Sequence, residues 1–200
     1  MLSIETARRV PYNRTIMRRI ICCVGLLFPL MSSLALGQPA WERTLQHELP
    51  LLGHRNWIVI ADSAYPLQTS PGIETVVAAQ EQAEVLAKVL DELGKSKHVK
   101  PIIYTDAELN HVAEKNAPGI GAYRKALEKV LGGRQVQVLP HEQIIAKLDE
   151  AGKTFKVLLI KTPLTLPYTS VFLQLDCAYW NAESENELRS AMHAAEEKGK

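Results

Sequence analysis

The segment Leu52-Gly53-His54-Arg55-Asn56-Trp57-Ile58-Val59-Ile60-Ala61-Asp62-Ser63-Ala64-Tyr65-Pro66 constrains the fold more than any other stretch of this chain. Residues 57–61 form a continuous apolar run with no polar alternation. Such a run fits a strand covered on both faces, as in α/β sheets. Ser63–Pro66 and then Pro71-Gly72 break regular structure. A histidine stands just before the run and an aspartate stands where it stops. Ligands of open α/β sheets bind beyond the carboxyl ends of the strands, which puts Asp62 where chemistry is expected. The competing reading of the same pattern is an Asp62 that caps a turn and a His54 that is merely surface polar.

The rest of the body alternates in character. Residues 79–94 place Ala79, Ala83, Leu86, Ala87, Leu90 and Leu93 on one helical face, with Gly94 as a stop. Val99 to Tyr104 predicts a strand with Pro101 near its start or on an edge. Tyr123, Ala126, Leu127, Val130 and Leu131 line a second helix that ends at Gly132-Gly133. Gln135 to Leu139 alternates as a strand does, and Glu142 to Leu148 reads as a short helix. Phe155–Ile160 and Val171–Leu175 are two more strands around a proline-rich loop, and a charged tail follows over 181–200. Alternating helices and strands predict a three-layer α/β/α domain with a mainly parallel or mixed sheet.

The front of the chain has a different composition. Residues 1–37 hold five of the 23 basic residues and one of the 22 acidic ones, so the remainder carries 18 basic against 21 acidic. That balance excludes the basic footprint of a nucleic-acid binder. Arg18-Arg19 precede the apolar run Ile20–Met31, which is too short for a comfortable membrane span. Small residues then lead to a cleavage position before Gln38. The pattern reads as a secretory signal peptide over 1–37, with Met17 as an alternative start. A stable membrane span after cleavage is not expected, and an uncleaved anchor is the competing reading. Cys22 and Cys23 would leave with the leader, and Cys177 alone offers neither an intramolecular disulfide nor a cysteine metal cluster. The expected location is periplasmic or secreted.

Polar residues at the joints between elements suggest the chemistry. His54 and Asp62 flank the first strand, His141 follows Pro140, and Tyr168, Thr169 and Ser170 precede the strand at Val171. Two histidines, a carboxylate and a tyrosine at strand ends suit general acid–base work on a polyol, because imidazole exchanges protons near neutrality. A His/Asp metal site is the alternative, although no His-x-His or His-x-x-x-His spacing occurs. His47, His98, His111 and His193 fall on helices or polar linkers and read as solvated.

These residues also carry a family resemblance. Gly53-His54, the apolar run and Asp62-Ser63-Ala64-Tyr65-Pro66 resemble the opening motif of the D-ribose pyranase / L-fucose mutarotase family. Pro140-His141-Glu142-Gln143 is similar to its central His-Glu-Gln segment, and Pro167-Tyr168-Thr169-Ser170-Val171 to its closing Pro-Tyr-(small)-Asn segment. The three motifs stand in family order over about residues 45–178, and a domain of 38–180 follows. The resemblance implies cofactor-independent interconversion of monosaccharide ring forms or anomers, with a ribose- or fucose-like sugar as partner. By position, it implies His54 as catalytic acid/base and Asp62, His141, Tyr168, Thr169 and Ser170 as sugar-binding residues. A non-catalytic exported sugar-binding protein of the same fold is the alternative. Asn56 stands where the family has an aspartate, Ser63-Ala64 where it has Ala-Gly, and Ser170 where it has an asparagine.

Geometry adds a constraint. Eight residue steps separate His54 from Asp62, about 25 Å if fully extended at about 3.3 Å per residue. Either the Gly53–Asn56 loop folds back, or the site is assembled from two subunits. The resemblance implies ring-shaped homo-oligomers with sites at subunit interfaces.

Overall fold

In a computed structural model, which describes residues 38–198, the apolar run forms strand β1 (Trp57–Ala61) and all five of its residues are buried. The leader reading over 1–37 lies outside the described residues. Helix α1 (Ala40–Glu48) precedes β1, and β2 (Ile73–Val77), α2 (Gln82–Lys95) and β3 (Val99–Asp106) follow it. A 3₁₀ turn at Ala107–His111 leads to α3 (Ile120–Leu131), β4 (Val136–Leu139) and α4 (His141–Thr154). Strands β5 (Val157–Lys161) and β6 (Val171–Cys177) then complete the sheet, and α5 (Ala182–Lys198) ends the described chain.

The six strands stand in the order β2-β5-β1-β6-β3-β4. β6 is antiparallel to both of its neighbours, β1 and β3, and the remaining pairs are parallel. Five strands therefore deliver their carboxyl ends to one edge, where β6 has its amino end. Side chains alternate between the two faces along each strand. Ile58, Ile60, Val171, Leu173 and Leu175 face a core built with α1, α2 and α3. Trp57, Val59, Tyr104 and Phe172 face a smaller core under Ile144, Leu148 and Ala151 of α4. Helices thus cover both faces, giving the α/β/α arrangement that the double-sided burial of β1 requires.

Several local choices differ from the sequence reading. The buried face of α2 is Gln82, Val85, Leu86, Val89, Leu90 and Leu93, so the alanines are not its core. Gln82 is buried because its amide donates to Tyr123 Oη at 2.9 Å and accepts from Thr162 Oγ1 at 2.9 Å. β3 runs two residues further than expected, and Pro101 lies outside the stretch paired with β4, where its missing N–H costs no bond to that strand. β2 is an additional edge strand. Its entry requires Gly72, since a Cβ there would sit 2.4 Å from the Phe155 carbonyl oxygen. α5 buries none of its described side chains. No helix among the described residues is long and apolar enough to cross a membrane.

Candidate functional site

The carboxyl edge of the parallel strands carries a cleft of about 340 Å³ lined by Asp62, Tyr65, His141, Tyr168 and their neighbours. Asp62 follows the last residue of β1, and its carboxylate is fixed from two sides. The Ser170 hydroxyl donates to Oδ2 at 3.0 Å, and the Ala64 amide donates to Oδ1 at 2.9 Å, closing an Asx turn. That turn uses no positive φ, so Ser63 and Ala64 adopt it without the freedom of glycine. Asp62 thus caps the turn as the competing reading has it, and the same carboxylate lines the cleft. Being fixed, the carboxylate is presented to the cleft in one orientation.

His141 opens α4 directly after Pro140. Its backbone N–H donates to both oxygens of Glu108, at 3.1 and 3.0 Å, a side-chain cap from the turn after β3. Its ring Nδ1 lies 3.1 Å from Asp106 Oδ2, at ion-pair distance but short of hydrogen-bond alignment. The Asp106 side chain is 0% exposed and the imidazole 31%. Burial pushes the Asp106 carboxyl up to about 6, and the adjacent His141 opposes that rise without cancelling it. Tyr168 stands edge-on to the His141 ring with centroids 5.6 Å apart. Burial also raises the Tyr65 phenol to about 12, so at neutral pH it is a hydroxyl donor in the cleft wall.

His54 lies at the other edge of the sheet, before β1 begins. Its Nδ1 stands 2.9 Å from Oδ1 of Asp176, near the carboxyl end of β6. An ionised carboxylate only accepts, so the ring nitrogen donates. The Asn56 side chain is taken up by the loop itself. Its Oδ1 accepts from the Gly53 amide at 2.7 Å and its Nδ2 donates to the Lys156 carbonyl at 3.2 Å, closing the loop that carries His54. A cavity of about 740 Å³ adjoins His54 and Asp176, walled by Tyr179 and Trp180.

Among the described residues, the non-glycine residues with positive φ are Arg55 at 75° and Tyr168 at 56°. One adjoins His54 and the other belongs to the cleft. Backbone held in this costly region concentrates at functional sites, where the surrounding structure enforces it. Arg55 is steadied by its guanidinium over the Phe155 ring, 4.7 Å from the centroid.

The fold thus brings Asp62, His141, Tyr168 and Ser170 to one edge and leaves His54 at the opposite one. The Gly53–Asn56 loop does not fold back far enough to join them. Thr169 is also at the cleft edge, but it faces inward. Its hydroxyl donates to the Leu166 carbonyl at 2.8 Å, and its own carbonyl accepts from Tyr123 Oη at 2.6 Å. His98, read from sequence as solvated, is half-buried, with Nε2 3.0 Å from the Leu52 carbonyl and Nδ1 2.9 Å from Ser96 Oγ. Asp106, Asp176 and Tyr65 were not among the expected site residues. A lone aspartate ending an apolar strand was the available signal for Asp106, and it is the same signal that marked Asp62. Among the described residues no group of three His, Cys, Asp or Glu side chains is placed to hold a metal ion.

Residues 38–177 match the RbsD / FucU transport protein family, and the chain belongs to that family. Solved structures to which the chain is similar include Bacillus subtilis RbsD complexed with D-ribose. It is 25% identical over 66% of this chain and 89% of that one, with a TM-score of 0.45. The fucose mutarotase of Streptococcus pneumoniae in complex with L-fucose is 22% identical over 68% of this chain and 91% of that one, with a TM-score of 0.42. FucU from Bifidobacterium longum is 17% identical over 66% and 92%, with a TM-score of 0.45. No curated protein matches the chain.

Proposed function

We propose that this protein interconverts ring forms or anomers of a free monosaccharide by general acid–base catalysis, without a cofactor. Membership in the RbsD / FucU family supports sugar ring interconversion as the general activity. The observation that carries the reading is the cleft in which a fixed carboxylate, Asp62, and a carboxylate-backed imidazole, His141, face a shared space with Tyr168. Opening a hemiacetal requires one proton delivered to the ring oxygen and one removed from the anomeric hydroxyl. Reclosure on the other face, or through another hydroxyl, reverses both transfers, and no electrons are exchanged.

His54 is the second proton carrier. Since one chain holds it at the far edge of the sheet, the complete site pairs the His54–Asp176 edge of one subunit with the Asp62–His141–Tyr168 cleft of its neighbour in a homo-oligomer. Ribose-like and fucose-like sugars are the proposed substrates. The segment 1–37 is proposed to direct export, which N-terminal sequencing of protein from the native host would check.

NMR exchange spectroscopy on D-ribose and L-fucose tests the activity directly. The expected result is protein-dependent exchange between anomers or ring forms in at least one of them. Binding without any exchange above background would make the protein an exported sugar binder and overturn the enzymatic reading.

A further inference from the structure

Three buried polar atoms cluster behind the cleft with no hydrogen-bond partner: Oδ1 and Oδ2 of Asp106 and Nδ1 of His141. A buried donor or acceptor left unpaired is costly, and such groups are rare in folded proteins. Here the atoms face one another. Nδ1 lies 3.1 Å from Oδ2, within hydrogen-bond distance. Among the described residues, no lysine or arginine is among the groups that act on the Asp106 carboxyl. The groups that act on it are His141 from α4, Glu108 from the turn after β3, and Asp62 from the end of β1. The phenols of Tyr65 and Tyr123 in turn feel its charge. The other two groups acting on Asp106, Glu108 and Asp62, are carboxylates, and the His141 imidazole is the donor placed within 3.1 Å of it.

We infer that Asp106 is a positioning residue that keeps the proton of neutral His141 on Nδ1 and so presents an unprotonated Nε2 to the cleft. The hydrogen bond made by one ring nitrogen decides the state of the other. Nδ1 is buried and the ring is partly exposed, so Nε2 is the nitrogen a ligand can reach. This deepens the proposed function, on which the chemical step rests, and gives His141 a role in catalysis beyond holding the sugar.

In that step the anomeric O–H passes its proton to Nε2 of His141, and its electron pair becomes the second bond of the C1 carbonyl. The bond from C1 to the ring oxygen breaks, its pair goes to that oxygen, and the oxygen takes a proton from protonated His54 of the neighbouring subunit. The imidazolium formed at His141 carries its charge beside the Asp106 carboxylate. Reclosure returns both protons, and nothing is consumed.

The tautomer of His141 can be read without turnover. In ¹⁵N-labelled protein, with the His141 signals assigned by their loss in His141→Gln, the neutral ring should carry its proton on Nδ1. In Asp106→Leu, which has no acceptor, the proton should move to Nε2 in most molecules. Leucine keeps the branched outline of the Asp106 side chain, and a thermal melt reports whether the variant folds. Ring-form exchange in that variant should fall at least about 10-fold, toward the roughly 10²- to 10⁴-fold that a general base contributes, with sugar affinity kept. An Nε2-protonated His141 in the unmodified protein, or a tautomer unchanged in Asp106→Leu, would overturn the inference. An unmodified protein with the Nδ1 tautomer but no exchange would instead defeat the proposed activity and leave the positioning role standing.

Discussion

Asp106→Asn removes an ionisation while keeping the shape of the side chain, and its effect on stability can be worked out from the structure. Burial holds the Asp106 carboxyl near 6 in the folded protein, against an ordinary value of 3.8 in an unfolded chain. Between those values the native state binds the proton that the unfolded state has released. Stability therefore falls as pH rises through this window. The displacement is about two pK units at about 1.4 kcal/mol each, or about 3 kcal/mol in full. About 2 kcal/mol of that lies between pH 4.5 and 7.5 by the same linkage. The asparagine variant lacks this loss. Any cost of an unpaired amide, about 1–3 kcal/mol, shifts its whole curve without changing the slope. Urea denaturation of both proteins at half-unit steps across the window measures the difference. The gap between them should move by about 2 kcal/mol in favour of the variant as pH rises. Two parallel curves would refute the claim that Asp106 is a desolvated carboxyl with a raised pKa.

His54→Ala should lower ring-form exchange on the order of 10²- to 10⁴-fold while leaving sugar affinity nearly unchanged, which rate and titration calorimetry measurements on the same sugar separate. Asp176→Asn keeps His54 but removes the charge that orients it, so exchange should fall by less than in His54→Ala, with its pH profile displaced. An unaltered profile would show that the 2.9 Å contact with His54 has no part in proton transfer. Phe172→Ala, at a fully buried position in the centre of the sheet, should cost about 3–5 kcal/mol in chemical denaturation.

The parts of the fold that could be read from sequence are those where one physical demand dominates. β1, β5 and β6 are buried on both faces and therefore appear as apolar runs. β2 escaped notice because Ile73–Val77 is an edge strand, only partly covered, with Glu74 and Thr75 in its middle. The stripe of α2 was misplaced because buried Gln82 is polar, and its partners on α3 and the loops after β5 come from distant sequence. In the site, Asp62, His141 and Tyr168 were legible as a set because all three stand at strand or helix ends. Asp176 was not, because its link to His54 spans 122 residues and depends on strand order. Thr169 carried a polar side chain in the right motif, and only the packing of Tyr123 and Leu166 shows that it points inward.

The pairing of β3 with β6 has a consequence for stoichiometry. The two strands run antiparallel, so the carboxylates near their ends, Asp106 and Asp176, fall at opposite edges of the sheet, each against a histidine. A subunit built this way has two unlike ends. If the site is shared as proposed, association is head-to-tail, and such contacts close into rings or run on as open chains. A lone subunit then completes no site, an open chain completes one fewer than its number of subunits, and a closed ring completes as many as it has members. Ring closure would thus set how many sites work.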